Sequence, residues 1–198
     1  MIESSSQCQQ DLCVLEIIRK PGIFLDIGSK WPVERNNTYL LEKNGWRGVC
    51  IDIQYYDYSQ RTNSEFLHGD AIKFLPSLKD TLYDYISLDI DENTNKALEV
   101  ILQNNISFKF MTIEHDVYRL SKKYQDEQRE LLYDSGYELL FSNIQPNWDN
   151  NIIFEDWWYN PKANLPVIKE LESLGVLGSS YRSSSSALWL LQRARDKA

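Results

Sequence analysis

The sequence predicts an α/β fold: a doubly wound, mostly parallel seven-stranded sheet with an antiparallel edge strand, covered by helices in three α/β/α layers. Three observations lead to it. Short apolar runs recur and close on aspartate, as in Gly22-Ile23-Phe24-Leu25-Asp26-Ile27-Gly28 and, about twenty-four residues later, Gly48-Val49-Cys50-Ile51-Asp52-Ile53. Helix-patterned segments lie between the runs, which is the signature of parallel strands joined by right-handed crossovers. Acids gather at the carboxyl ends of the runs, the edge where such sheets bind ligands.

The elements follow in order. Residues 6–19 read as an amphipathic helix with Leu12, Leu15 and Ile18 on one face, stopped by Pro21-Gly22. Residues 23–27 read as the first strand, Asn37 through Lys43 as a helix capped by Asn36 and ended near Gly45, and residues 48–53 as the second strand. Phe66 to Ala71 reads as a short third strand closing on Asp70, followed by a helix over 71–79. Tyr85 to Asp91 is the fourth strand, ending in two aspartates, and Asn95 to Gln103 carries helical spacing at Ala97, Val100 and Ile101. Phe108 to Asp116 is the fifth strand, ending in Glu114-His115-Asp116. A charged helix from about 122 to 135 is broken by Gly136, and Tyr137 to Phe141 makes the sixth strand. Asn151 to Trp158 makes the seventh, read as the antiparallel edge because Asn160-Pro161 ends it with a breaker. The Gly/Ser-rich stretch Gly178 to Ser186 reads as a loop, capped by serine into a terminal helix that docks on its own core or on a partner, its own core being favoured. The whole chain, 1–198, reads as one domain, with an N-terminal helix in 1–21, a core in 22–161 and a C-terminal extension in 162–198.

Composition narrows the function. A chain of 198 residues with 42% hydrophobic content builds one substantial core. A net charge of −8 argues against a polyanion groove, so nucleic acid is not an expected partner. No apolar run approaches the roughly 20 residues of a membrane span. Met1 to Ser6 lacks a basic region followed by an apolar one, so no signal peptide is expected. Three cysteines, Cys8, Cys13 and Cys50, form no disulfide pattern and fit a reducing, cytoplasmic setting; they read as small apolar residues. The oligomeric state is open. Asp26 and Gly28 are placed to shape the loop under a ligand, and Asp52 to accept hydrogen bonds from a ribose diol. The expected partner is a small molecule.

At these residues the chain resembles the class I S-adenosylmethionine-dependent methyltransferases, and more closely the FkbM-type methyltransferase family. The residues carrying the resemblance are Phe24 to Ser29, Asn36 to Glu42, Gly45-Trp46-Arg47-Gly48, Tyr83 to Asp91, Ile113-Glu114-His115 and Phe154 to Trp158, spanning roughly 22–161. The resemblance implies a seven-stranded Rossmann-like sheet, methyl transfer, and sugar or glycan hydroxyls as acceptors. It implies cofactor contacts from Asp26, Gly28, Ser29, Asp52, Ile53, Asp70, Ala71 and Asp89, with Asp70 near the adenine amine. One departure stands out: Gly28 is followed by Ser29-Lys30-Trp31-Pro32, where the family has further glycines. A side chain there limits how near the backbone can come to a ligand, and Lys30 puts a cation beside the expected sulfonium.

A sugar hydroxyl is a poor nucleophile and needs a base, a metal, or both. His115 is the expected base, with Asp89 beside it. Asp89, Asp91, Glu114 and Asp116 are hard oxygen donors suited to magnesium or manganese. Strand-end acids also cap helices, so a structural role stands against each of these. Trp157 and Trp158 alternate across a strand, so one is expected to stack on a sugar and one to pack. Tyr55, Tyr56 and Tyr58 line the adenine pocket or form a surface loop, and His68 reads as structural. Two other functions remain beside the sugar O-methyltransferase: a non-catalytic binding module on the same fold, and an N-methyltransferase acting on a peptide or protein amine.

Overall fold

A computed structural model describes residues 3–146, 149, 151–180 and 183–198. The opening Met1-Ile2 and the Tyr181-Arg182 part of the Gly/Ser-rich stretch lie outside the described residues. The chain runs α1 (Gln10–Ile17), β1 (Ile23–Ile27), α2 (Tyr39–Lys43), β2 (Arg47–Asp52), β3 (Ser64–His68) and α3 (Ala71–Phe74). It continues with β4 (Leu82–Leu88), α4 (Thr94–Gln103), β5 (Ser107–Glu114), α5 (Lys122–Asp134), β6 (Glu138–Ile144) and β7 (Glu155–Tyr159). It closes with α6 (Pro166–Ser173), β8 (Ser179–Ser180) and α7 (Ser184–Arg195).

One sheet holds all eight strands in the order β3-β2-β1-β4-β5-β7-β6-β8. Strand β7 alone runs against the others, pairing antiparallel with β5 and β6. The doubly wound α/β fold is therefore present, with two differences of detail. The antiparallel strand is paired on both sides rather than outermost, and the two-residue β8 adds an eighth strand beside β6. Nothing in Ser179-Ser180 is strand-like by propensity; β6 offers it an open edge. The order reverses between β1 and β4, which are hydrogen-bonded neighbours. That is the topological switch point, where the carboxyl ends of the strands leave a crevice.

Alternation along each buried strand fills two cores, one per sheet face. Phe24, Tyr85, Phe110 and Trp157 pack on one face under α1, α2, α6 and α7. Their chain neighbours Leu25, Ile86, Met111 and Trp158 pack on the other, under α3, α4 and α5. The two tryptophans do part to opposite faces, but both are wholly buried, so neither is free to stack on a sugar. Both faces of a doubly wound sheet are covered, and alternation within it separates two cores, not core from cleft.

Helix α1 buries Cys13, Val14 and Ile17 rather than the face of Leu12 and Leu15, which are half-buried. It begins four residues later than its periodicity suggests, because Asp11 is occupied by a serine knot: its carboxylate accepts from Ser4 Oγ, Ser5 N and Oγ, and Ser6 Oγ. All three cysteines are buried and free. Helix α6 went unread in the sequence although Pro166 at its first turn and Val167, Ile168 and Leu171 at helical spacing mark it. Helix α7 docks on α1 and α6, with Ser183 capping it through its side chain. Among the described residues no helix is long and apolar enough to cross a membrane.

Candidate functional site

The carboxyl edge collects the site. Gly28 leaves β1 at φ +85°, and a Cβ there would lie 1.7 Å from the carbonyl oxygen of Asp89. Only glycine lets the β1 and β4 loops pass this closely. The next three amides turn down onto β2: Gly28 N and Ser29 N donate to Ile51 O, and Lys30 N donates to Asp52 Oδ2 at 2.9 Å. Asp52 Oδ1 accepts from Gln54 N at 2.8 Å. A carboxylate offers about four lone-pair positions, so two stay open at this rim. Ser29 is buried, with its hydroxyl beside that of Tyr58. Ile53 and Tyr55 stand out from the same rim, 67% and 70% exposed. Tyr58 is instead buried, stacked on Phe66, while Tyr55 and His68 meet edge to face.

A small cavity of about 20 Å³ opens at the β1/β4 switch point. Its walls come from the β4 end (Ser87, Leu88, Asp89), from β5 (Thr112, Glu114), and from Phe154 and Glu155 at the start of β7. The loop after β1 adds Lys30, Arg35 and Asn37, and the segment at α1 adds Gln7 and Gln10. Asp89 and the other carboxylates around it raise the Lys30 ammonium above its usual range. Glu114 is also raised, by burial first and then by Asp89 and Asp116 within reach. Glu155 is 3% exposed and pushed up to about 8, burial again leading.

Asp26 lies one layer beneath. It is buried, accepts from Thr38 Oγ1 at 2.8 Å, and is raised to about 6 chiefly by burial. Ser87 links this layer to the cavity, since its hydroxyl accepts from Asn37 Nδ2 at 2.8 Å and also meets Asp26. Arg61, with a fully buried side chain, holds the layer together: it bonds Glu42 at 2.6 Å, Asn36 Oδ1 at 3.0 Å, and Thr38 Oγ1 at 3.2 Å. The cap position of α2 is Thr38 rather than Asn36, but the Asn36 side chain still accepts from Thr38 N and Tyr39 N at the helix start. Asp70 caps α3 by accepting from Ile72 N, with Ala71 buried behind it.

His115 is not on the cavity wall. Its ring is wholly buried, Nδ1 accepts from Val117 N at 3.4 Å, and Nε2 faces Asp156 at 3.7 Å without a hydrogen bond. Alternation explains this, since Glu114 takes the cavity side of the strand end. The four proposed metal ligands form no cation site. Glu114 lies within reach of Asp89 and Asp116, but Arg119 pairs with Asp116 at 2.5 Å and with Asp91 at 2.8 Å, so a cation of the chain already takes up that charge. Among the described residues no group of three or more acids, histidines or cysteines is arranged to hold a metal ion. The donor set does not fit a divalent cation.

Burial lowers His115 to about 4, despite Asp156 nearby. An unfolded histidine takes up its proton near 6.5, so between these values the unfolded chain binds more protons and stability is lost as pH is lowered. The gap from 6.5 to about 4 is worth ~3 kcal/mol. Asp26, raised, acts in the opposite sense between 3.8 and about 6. The histidine contribution is therefore the difference between wild type and His115→Gln in urea unfolding. Relative to the variant, wild type is expected to weaken steadily from pH 6.5 to 4; parallel curves would show that His115 titrates normally.

Glu155, Gln10, Asn37, Ser87 and Thr112 were not singled out in the sequence. Only Glu155 left a signal there, as an acid at the head of an aromatic strand.

No model of a known protein family matches the chain, and no curated protein matches it. Solved structures do. A candidate caffeoyl-CoA O-methyltransferase from Staphylococcus aureus superimposes with TM-score 0.56 at 16% identity, covering 81% of this chain and 85% of that one. The 1,6-didemethyltoxoflavin-N1-methyltransferase of Burkholderia thailandensis, solved with S-adenosylhomocysteine bound, gives 0.50 at 12%, covering 76% and 74%. WbdD gives 0.52 at 14%, covering 76% of this chain, which spans only 38% of the WbdD chain. At such identities the likeness speaks for the fold. The chain thus has the fold of the class I S-adenosylmethionine-dependent methyltransferases.

Proposed function

We propose that this chain is an S-adenosylmethionine-dependent methyltransferase whose acceptor is a hydroxyl of a sugar or glycan. The observation carrying this reading is the cavity at the switch point. It adjoins the Asp52 rim and is lined by uncharged hydrogen-bonding groups, Gln7, Gln10, Asn37, Ser87 and Thr112, interleaved with acids. Such a wall matches a hydroxyl-rich acceptor better than an aromatic one.

The donor set at the rim fits the cofactor. Asp52 has open lone pairs for the ribose diol, and Ile53 and Tyr55 offer apolar surface beside it. Lys30 would meet the carboxylate of the amino-acid end, and Asp89 its cationic groups. When bound, the cofactor supplies an electrophilic methyl group; the chain supplies placement in line with the acceptor oxygen. The FkbM-type assignment rests on the sequence resemblance alone.

A second reading, a non-catalytic binding module, is favoured by one observation: the Lys30 ammonium already sits among Asp89, Glu114 and Asp52, where a cation of the cofactor would stand. Calorimetric titration with S-adenosylhomocysteine and S-adenosylmethionine separates the two. Binding at micromolar to tens of micromolar concentration is expected. A flat titration at millimolar ligand, with the protein folded, would sink the methyltransferase reading.

A further inference from the structure

We propose that Glu155 is the general base that takes the proton of the acceptor hydroxyl, held in place by Gln10. This rests on the methyltransferase reading above and adds to it the residue that makes a hydroxyl acceptor usable.

The geometry selects Glu155 from the acids around the cavity. Its carboxylate is held by two donors that cannot surrender a proton. Trp157 Nε1 donates to Oε1 at 2.6 Å, and Gln10 Nε2 donates to Oε2 at 3.0 Å. The Gln10 amide is itself oriented, because its Oε1 accepts from Cys8 N at 2.8 Å. Gln10 is 2% exposed and Glu155 3%, so both partners are withdrawn from bulk water yet face the cavity. An acceptor held only by N–H donors keeps lone pairs free for a third proton.

The alternatives are committed elsewhere. Glu114, cross-strand neighbour of Glu155 in the β5–β7 register, lies within reach of Asp89 and Asp116, and burial beside them pushes its carboxyl well above the usual range. Asp89 is the leading partner of Lys30. His115 is sealed behind the strand. The groups that set the charge around Glu155 are Asp89 from the end of β4, Glu114 from β5, its own neighbour Asp156, Cys8 and Cys13 from the α1 side, and Tyr85 from β4. Lys30 and Arg35 are the cations on the cavity wall. Burial among these acids raises the proton affinity of Glu155 into the range a base needs at neutral pH. In the transfer, a lone pair of the acceptor oxygen forms the new C–O bond as the S–C bond breaks and its pair stays on sulfur. The hydroxyl proton passes to Glu155 and later to solvent, leaving charge balanced.

Trp157 makes the base observable without a known acceptor. Its indole N–H resonance, assigned by its loss in Trp157→Phe, is followed from pH 5 to 9.5 in ¹⁵N-labelled full-length protein. A step between about pH 7 and 9 is expected in wild type and absent in Glu155→Gln. A resonance that does not move, or moves identically in the variant, overturns the proposal. Calorimetry with S-adenosylhomocysteine is run on both proteins: affinities within twofold are expected, and a tenfold loss in Glu155→Gln would make Glu155 a cofactor contact instead. If wild type fails to bind while the indole still titrates, the methyltransferase reading fails and the titrating carboxylate stands. With neutral methyl glycosides and methyl-labelled cofactor, turnover by Glu155→Gln is expected to fall by roughly 10²–10⁴ with the cofactor KM unchanged. Equal kcat in the two proteins would refute the role.

Discussion

Replacing Arg61 with alanine is expected to destabilise the protein by about 3–5 kcal/mol, read as a lowered urea midpoint at unchanged slope. The guanidinium is fully buried and its side chain bonds Glu42, Pro32 O, Asn36, Thr38 and Ser64. Removing it strands Glu42, 8% exposed, and takes away a cation that offsets burial of Asp26. Backbone donors from Thr62 and Asn63 would still reach Glu42, so its carboxylate is not left wholly without partners. Arg61→Lys should recover only part of it, because an ammonium cannot reproduce the fork of donors. The midpoint of Arg61→Ala matching wild type would mean that the layer under the cavity does not depend on this residue.

Replacing Asp52 with alanine is expected to raise the dissociation constant of S-adenosylhomocysteine roughly 10- to 150-fold, the value of hydrogen bonds to a charged group, about 1.5–3 kcal/mol. The structure adds a second effect. Asp52 also accepts from Lys30 N and Gln54 N, so the same change removes the anchor of the loop after β1 and costs about 1 kcal/mol of folding. Asp52→Asn separates the two. Its amide oxygen keeps one backbone bond, so stability should stay near wild type while affinity falls. Calorimetry is the measurement, and an unchanged affinity in both variants would remove Asp52 from the cofactor rim.

Strand interiors were easy to read because each is apolar on both faces and flanked by breakers. β1 was placed without error, and β2, β4 and β5 to within a few residues. Elements held by tertiary partners were not legible. β8 exists because β6 has an open edge, and the start of α1 is set by the serine knot on Asp11. Arg61 sits in the polar run Gln60-Arg61-Thr62-Asn63, which has the composition of a solvated loop. Nothing local says that this guanidinium is buried.

At the site the division is sharper. Acids at the strand ends could be named from the chain because a parallel sheet puts every such end on one edge. Their directions could not. Whether the last residue of a strand faces the cavity or the core depends on one step of alternation, and that step sent Glu114 to the cavity and His115 behind it. Arg119, far from Asp91 in sequence, drew two of the four proposed metal ligands to itself. By itself the sequence determined the doubly wound sheet, its acidic edge and the place of Asp52 at the end of β2, because these follow from periodicity and strand order. Only the tertiary structure decided which carboxyl groups share the cavity and which are neutralised or buried, because burial and pairing are set by residues that meet only after the chain has folded.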